Sequence, residues 1–418
     1  MLVSNFVSLA SQKGDKRWLL DLLGIHQFAA THLETTSSIS MRRVGTTHLS
    51  RPMRLWKNSE EQEIVLSSAQ FLYAVSMLLH DAAAVDGVRG TEESERFLET
   101  YLDVVVRDHL FRWIWNRDAD AGSFGGRWDC EPTTLYSHAE FVERLISNTT
   151  SSYCNAVSDS DLFVAMIALH IVALADANPD AFARHAPSVK SDDLFLLRSH
   201  VSRVWSLVMA RTEFRTATSG DRQSQERAVF DPYGYDEFPD HRYAGYTGQA
   251  HPLASPVVPA MPATGAGWDI SHGRRLVLLL DSFRRFANEG SLALAPADEV
   301  ERFGIALANQ LAGEVFVGSL EAPAFSNYLG GDDGWYRATS SGTRTLTGYS
   351  PSHWALGRSF LMGGYGQLAR WNPELIPIWN AARIRELRGE TPAWTGISRF
   401  ESDFVQLASG EPAQDILQ

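Results

Sequence analysis

The segment GWDISHGRR, residues 267–275, brings an acid, an imidazole and two guanidinium groups together at the start of an apolar helix. Asp269 and His272 stand close in sequence there, so we expect their side chains to lie within hydrogen-bond reach. A carboxylate beside an imidazole orients the ring and raises its basicity, which suits a general acid or base. We expect Arg275 to bind an anionic group of the substrate in bidentate fashion, and Trp268 to stack against the substrate.

The same segment also has a purely structural interpretation. In that interpretation Asp269 and Ser271 cap the helix, His272 packs against its neighbours, and the two arginines pair with residues on the same helix. The sequence leaves both interpretations open.

A second candidate segment is SNYLGGDDGWYR, residues 326–337. Its glycines and adjacent carboxylates indicate a tight turn, in which two neighbouring aspartates can split their pKa values and act as acid and base. A surface Asp-Gly turn is the simpler interpretation of those carboxylates. The aromatic and arginine residues that follow are typical of a wall that stacks on sugar rings. From this segment we predict one catalytic residue, Tyr336, and four substrate-binding residues, Asn327, Asp332, Trp335 and Arg337.

Titratable residues also crowd an irregular segment, residues 231–252, which includes His241, Tyr246 and His251. A tyrosine with a lowered pKa can serve as the base in an elimination, so Tyr246 and His251 join Tyr336 as candidates for a second proton-transfer group. His241 and His251 lack the i, i+3 or i, i+4 spacing of zinc enzymes, and no HExxH motif occurs, so we expect no metal. We expect no cofactor either, because the sequence has neither a P-loop nor a strand–GxGxxG–helix unit.

A six-residue pattern of Gly, an aromatic residue, two further residues, Ser and His occurs at 267–272 and again at 348–353. Its last two residues occur a third time as Ser137-His138. In each case we predict that the serine is the helix N-cap and the histidine the first helical residue. By this correspondence His353 joins the predicted substrate-binding residues. The alternative is that Ser-His is a chance pair at capping positions.

Helical periodicity dominates the chain and must supply the elements that position these residues. Helices are predicted from Ser59 onward and over 16–23, 91–115, 138–147, 159–176, 191–216, 271–288, 297–316, 352–370 and 373–388. No strand alternation of useful length is found, so the predicted fold class is all-α. Helices that begin alike and are separated by hairpins indicate a closed ring of αα-hairpins, an (α/α)6-type toroid whose entry loops crowd one mouth.

We predict a single toroid domain over residues 1–418, in which 1–58 is an N-terminal extension with a short helix. Residues 218–268 and 321–350 lack helical periodicity, yet both are rich in aromatic side chains. Disordered tracts are poor in such residues, and long irregular segments inside a compact domain are usually functional or disordered. We therefore predict that both segments are ordered loops over the cavity.

In its architecture the chain resembles, over roughly residues 60–407, the (α/α)-toroid carbohydrate-active proteins, namely polysaccharide lyases, unsaturated-uronide hydrolases and sugar 2-epimerases. The resemblance rests on the helical hairpins and on the aromatic, glycine-bearing loops described above. It implies action on a saccharide. No catalytic motif of these families matches residue by residue, so the resemblance assigns no site residue, and a shared fold is weak evidence of a shared function.

The composition restricts the classes of partner. The chain has 37 Lys and Arg against 50 Asp and Glu, a net charge of −13, which argues against nucleic acid and against anionic membrane surfaces. No apolar run reaches the roughly 20 residues of a membrane span, and the start lacks a leader pattern. The two cysteines, Cys130 and Cys154, can pair but are expected to be ordinary thiols. We therefore expect a cytoplasmic protein with a small-molecule substrate; the sequence leaves its oligomeric state open.

These features predict an enzyme that acts on a small saccharide or a similarly polar cyclic metabolite by metal-independent acid/base chemistry, as a lyase, hydrolase or epimerase. Three alternatives remain. A biosynthetic tailoring enzyme of the cyclase or isomerase kind would use the same helical cavity with a more apolar lining. A non-catalytic helical binding scaffold would leave the WDISH side chains packed or on a flat surface. A metal hydrolase would bind zinc or manganese.

Overall fold

The computed structural model describes much of the chain, with gaps. The described residues are 7, 10, 13–35, 39–41, 49–59, 61, 63–115, 137–148, 150, 152–217, 224–234, 241–248, 259–286, 294–337, 348–352 and 354–388. Two predicted site residues, His251 and His353, lie outside them.

Helices make up most of the described chain, which confirms the all-α prediction at that level. The α-helices are α1 (Lys16–Ala29), α2 (Val65–Ala84), α3 (Glu92–Asp103), α4 (Phe111–Trp115), α5 (His138–Ser147), α6 (Asp159–Ala177), α7 (Pro179–His185), α8 (Ser191–Ala210), α9 (Ile270–Phe286), α10 (Ala297–Gln310), α11 (Trp354–Met362) and α12 (Leu375–Leu387). Two π-helical turns, Val104–Leu110 and Leu311–Val315, join α3 to α4 and extend α10. Short 3-10 helices occupy Ala30–His32, Tyr153–Asn155 and Tyr365–Arg370.

The described strands form three small antiparallel pairs. β1 (Glu34–Thr35) pairs with β4 (Arg54–Leu55), β2 (Ile39–Met41) with β3 (Leu49–Arg51), and β5 (Thr212–Ala217) with β6 (Gln225–Phe230). The third pair corrects two predictions, since the helix predicted over 191–216 ends at Ala210 and part of the loop predicted over 218–268 is a strand. The sequence TEFRTA reads as a continuation of the helix until β6 supplies its partner, with Phe214 opposite Ala228. Tertiary pairing therefore overrides the local pattern.

Helix α6 forms the centre of the protein. It contacts α2, α8 and α9, and its residues from Asp159 to Ala175 are buried. A helix that is apolar on all sides is stable only when it is buried on all sides. Among the described residues it is the one helix long and apolar enough to cross a membrane, and 89% of its apolar window lies inside the protein, as in the core helix of a soluble protein.

Cys154 is disulfide-bonded, which corrects the prediction that both cysteines are ordinary thiols. The sequence has one other cysteine, Cys130, which lies outside the described residues. Structural disulfides are rare in reducing compartments. The cysteines therefore no longer support a cytoplasmic location, which stays a prediction.

Two histidines are buried in this core. His170 on α6 lies between the hydroxyls of Ser76 and Ser282, with Nδ1 2.9 Å from one Oγ and Nε2 3.1 Å from the other. His200 on α8 is buried, and neither of its ring nitrogens has a hydrogen-bond partner in the described part of the chain. Burial lowers the pKa of both imidazoles well below 6.5, and neighbouring positive charges act in the same direction.

We therefore expect acid to destabilise the protein. The unfolded chain binds protons at these histidines below about pH 6.5, whereas the folded protein does not, so their contribution is complete above that pH and falls below it. We expect each buried histidine to lower the free energy of unfolding by up to about 1.4 kcal/mol for each pH unit below that value. The free energy of unfolding in urea, measured between pH 7.5 and 5.5, tests this expectation. His170→Gln should make the dependence of that free energy on pH less steep. The exposed His32, replaced by Gln, is the control; equal slopes in all three proteins would contradict the expectation.

Candidate acid/base site

The site forms at the first turn of α9, which Asp269 caps. The Oδ1 atom of Asp269 accepts hydrogen bonds from the backbone amides of Ser271 (3.0 Å) and His272 (3.1 Å) and from the Ser271 hydroxyl (2.7 Å). The helix begins at Ile270, so Asp269 and not Ser271 is the N-cap, and His272 is the third helical residue. The predicted Ser N-cap is wrong here. It is confirmed at Ser137, whose side chain accepts from the amide of Glu140 in a capping box.

The second oxygen of Asp269 binds the imidazole. Oδ2 lies 2.7 Å from Nδ1 of His272 and 3.4 Å from Nε2 of His241. Burial of the fully buried Asp269 by itself raises its pKa, but the charges and hydrogen bonds of the two histidines outweigh burial and hold that pKa well below its ordinary value. Asp269 is therefore a carboxylate at neutral pH and can only accept hydrogen bonds.

The tautomer of His272 follows from this contact. Because the carboxylate accepts, Nδ1 of the imidazole must carry a proton, and in the neutral ring the lone pair is on Nε2. The His272 side chain keeps 19% of its surface exposed. No hydrogen bond joins its Nε2 to a described residue. One ring nitrogen is therefore anchored, and the other is open, that is, without a hydrogen-bond partner among the described residues.

Tyr336 lies at the anchored edge of the same ring. Its hydroxyl is 3.2 Å from Nδ1 of His272, and the residue is fully buried. Tyr349 holds it in place through two backbone hydrogen bonds, of 2.9 and 2.7 Å, and through ring stacking at 5.8 Å. The structure thus brings together Asp269, His272 and Tyr336 as the sequence predicted, but the position of the hydroxyl beside Nδ1 suits orientation of the imidazole better than contact with substrate.

Trp268 packs against one face of the His272 imidazole. It is fully buried, and its ring stacks on that of His272 at 6.0 Å and 16°. The preceding Gly267 has φ +72°, and a Cβ at that position would approach a methyl carbon of Val229 to 2.9 Å, so the tight approach requires glycine. The buried indole of Trp268 therefore supports the imidazole, and its predicted stacking on substrate stays a prediction.

Two further predicted substrate-binding residues hold loops together. Asn327 is fully buried, and its side-chain amide donates to the carbonyls of Gly334 (2.6 Å) and Ser350 (3.0 Å). Trp335 is also buried, and its indole nitrogen donates to the carbonyl of Gly248 at 2.9 Å. Both therefore hold the loops of the site in position, and their predicted contacts with substrate stay predictions.

The predicted anion-binding residue Arg275 forms an ion pair within the protein. Its guanidinium lies 2.6 Å from Oδ2 of the buried Asp159 at the start of α6, and it donates to the carbonyl of Ser271. With 6% of its side chain exposed, Arg275 joins α9 to α6. Its predicted binding of substrate stays a prediction.

Three other predicted residues lie at the edge of the site. Tyr246 is half-buried and has no contact with His272 among the described residues. Asp332 is half-buried, whereas its neighbour Asp333 accepts from the amide and hydroxyl of Ser352, which supports a turn role for that carboxylate. Arg337 is exposed and lies over the ring of Tyr336 at 5.1 Å. The roles of Tyr246, Asp332 and Arg337 stay predictions.

His241 is the residue that sequence reasoning missed. It is far from Asp269 in sequence, and it reaches the carboxylate because the segment that follows it pairs with the second candidate segment, with Tyr243 opposite Trp335. Its ring also lies against those of Tyr328 (5.1 Å) and Tyr336 (5.7 Å). The only signal in the sequence was the crowding of titratable residues in 231–252.

The assembled site is an imidazole with one anchored and one open nitrogen, braced by a buried carboxylate and by aromatic rings. Such an arrangement can accept a proton at Nε2 and stabilise the imidazolium that results. The described residues contain no group of three or more His, Cys, Asp or Glu side chains placed to hold a metal ion. Comparisons of this chain with protein-family models, with curated proteins and with solved structures find no match.

Proposed function

We propose that the protein is an enzyme that acts on a small saccharide or a similarly polar cyclic metabolite by acid/base chemistry, with His272 as the proton-transfer group. The observation that carries the proposal is the open Nε2 of an imidazole whose Nδ1 is bound to a buried, ionised Asp269.

The same geometry serves elimination, hydrolysis and epimerisation. In each case Nε2 takes a proton from the substrate or from a water molecule, and the carbon or oxygen atom that loses the proton keeps the electron pair of the broken bond. Asp269 then faces a positively charged imidazolium and stabilises it. The imidazolium then returns the proton to the leaving group or to the product. Tyr336 and Trp268 keep the ring in the orientation that transfer requires.

The closed ring of αα-hairpins belongs to this proposal. It is supported by the contact between the N-terminal ends of α6 and α9, where Arg275 binds Asp159. In a ring of hairpins, the entries of non-consecutive helices crowd one mouth in this way.

A tailoring enzyme with an apolar substrate is the second candidate. It is favoured by the aromatic side chains around His272, since Trp268 stacks on its ring and Tyr336 meets its edge. Aromatic walls suit apolar or cationic intermediates as well as sugar rings. The substrate panel below includes both classes.

Proton exchange with solvent tests the proposed function. The protein is incubated in D₂O with uronates, neutral sugars, amino sugars and cyclic terpenoids, and loss of carbon-bound hydrogen or product formation is followed by ¹H NMR. We expect turnover of at least one saccharide, reduced to background in His272→Gln and unchanged in His32→Gln. Turnover of the terpenoids alone would favour the second candidate. Turnover that persists in His272→Gln, or none with any compound, would contradict both.

A further inference from the structure

Solvent reaches α9 at its two ends. From Ile270 to Phe283 every residue of this helix is buried except Ser271, His272 and Arg274, all in or next to its first turn. At the other end Arg284 and Arg285 are accessible, but both pair with Asp281. The open nitrogen of His272 and the side chain of Arg274 are therefore the groups that the first turn offers to a ligand.

Arg274 has no counter-ion among the described residues. No carboxylate lies within 4.0 Å of its guanidinium, and its buried Nε makes no hydrogen bond. The two carboxylates whose charges act on Arg274 bind other side chains, since Asp159 binds Arg275 and Asp269 binds His272. Burial, together with the charge of Arg275, lowers the pKa of Arg274 to about 9, so the group is still a cation at neutral pH.

The stem of Arg274 is held by the end of α11. A Cβ on Gly363 would come within 2.8 Å of the Arg274 Cβ and 3.2 Å of its Cδ, so the glycine leaves the space that the arginine stem fills. This contact fixes where the guanidinium begins. A half-buried cation that is held in place and unpaired is costly for the folded protein, and an anion that binds it removes part of that cost.

We propose that Arg274 binds an anionic group, a carboxylate or a phosphate, of the substrate on which His272 acts. This inference rests on the proposed function and narrows it, because it makes the substrate an acidic metabolite. It also replaces Arg275, the residue that the sequence favoured, with its neighbour. A guanidinium matches the two oxygens of either anion in a bidentate contact.

Anion binding by the full chain tests this inference without knowledge of the substrate. Sodium acetate and sodium phosphate are titrated at constant ionic strength, with chloride as the reference, and binding is followed by thermal shift and calorimetry. We expect at least one of the two anions to bind, with a Kd about 10- to 100-fold weaker in Arg274→Gln. The preferred probe identifies the group as a carboxylate or a phosphate.

Three variants make the result specific. Arg89→Gln should bind the anion as the wild type does, because that exposed arginine pairs with Asp86 far from α9 in sequence, and Arg337→Gln tests the other arginine that is predicted to bind substrate. Arg274→Lys keeps the charge but loses the bidentate fork, so we expect an intermediate Kd, and it carries the test if Arg274→Gln fails to fold. Any of three results would overturn the inference: anion binding that neither Arg274 substitution changes, anion binding that is lost only in Arg337→Gln, or no binding of either anion.

The outcomes separate this inference from the proposed function. Suppose that proton exchange depends on His272 but is equally fast with the neutral and the acidic member of a substrate pair, both in the wild type and in Arg274→Gln. This result would overturn the anion site and leave the proposed function intact. Anion binding that is lost in Arg274→Gln, with no exchange on any compound, supports the anion site and contradicts the function.

Discussion

Replacement of Asp269 by Asn is expected to lower the rate of His272-dependent proton transfer by about 10²- to 10⁴-fold. The carboxylate now accepts the Nδ1 proton at 2.7 Å, whereas an amide can present its NH₂ to that nitrogen. The imidazole then carries its proton on Nε2, and the nitrogen that faces the substrate loses its lone pair. Asn caps helices about as well as Asp, so the first turn of α9 should remain.

Two measurements check this result. The ¹⁵N shifts of His272 report the tautomer without any substrate, and we expect Nδ1–H in the wild type and Nε2–H in Asp269→Asn. Turnover of the compound found by proton exchange reports the rate. Asp333→Asn is the matched control, because Asp333 also accepts from a backbone amide and a serine hydroxyl, those of Ser352, but touches no imidazole of the described residues. An unchanged tautomer together with an unchanged rate would show that Asp269 only caps the helix.

Removal of Asp159 is expected to destabilise the protein by about 3–5 kcal/mol in Asp159→Ala. The ion pair of Asp159 with Arg275 is almost completely buried, with 7% and 6% of the side chains exposed, so the loss of one partner leaves a buried cation without compensation. Replacing both partners removes that cation. We therefore expect the double variant Asp159→Ala, Arg275→Met to be more stable than Asp159→Ala alone.

Urea unfolding of the two single variants and the double variant gives the coupling between the residues. The control is Asp86→Ala, which breaks the exposed pair of Asp86 and Arg89 and should cost about 0–1 kcal/mol. If Asp159→Ala costs no more than Asp86→Ala, Arg275 is not locked by Asp159. Arg275 would then be as good a candidate as Arg274 for binding the anionic group of the substrate.

Local sequence was sufficient wherever the interacting atoms lie within one helical turn. The helix over 138–147 and its Ser137 cap were predicted as they occur, because the capping box needs only the four residues Ser137 to Glu140. The contact between Asp269 and His272 was predicted for the same reason. Even there the detail differed, since Asp269 takes the cap that was assigned to Ser271.

Longer local patterns were less reliable at their ends. The helix predicted from Ser59 begins at Val65, and the one predicted over 352–370 breaks at Gly363 and Gly364 into α11 and a 3-10 helix. Gly364 adopts φ +82°, which a helix does not allow and which glycine tolerates readily. The helical period alone shows neither where a helix starts nor where it breaks.

The sequence by itself determined that this chain is mostly helical and that an acid and an imidazole meet at the start of α9. Only the tertiary structure decided which arginine forms an ion pair within the protein. Arg274 and Arg275 are adjacent and alike, but α6 places Asp159 against Arg275, whereas Arg274 has no carboxylate partner among the described residues. Helix starts depend on hydrogen bonds between near neighbours in sequence, whereas the burial and pairing of a charge depend on which distant elements pack around it.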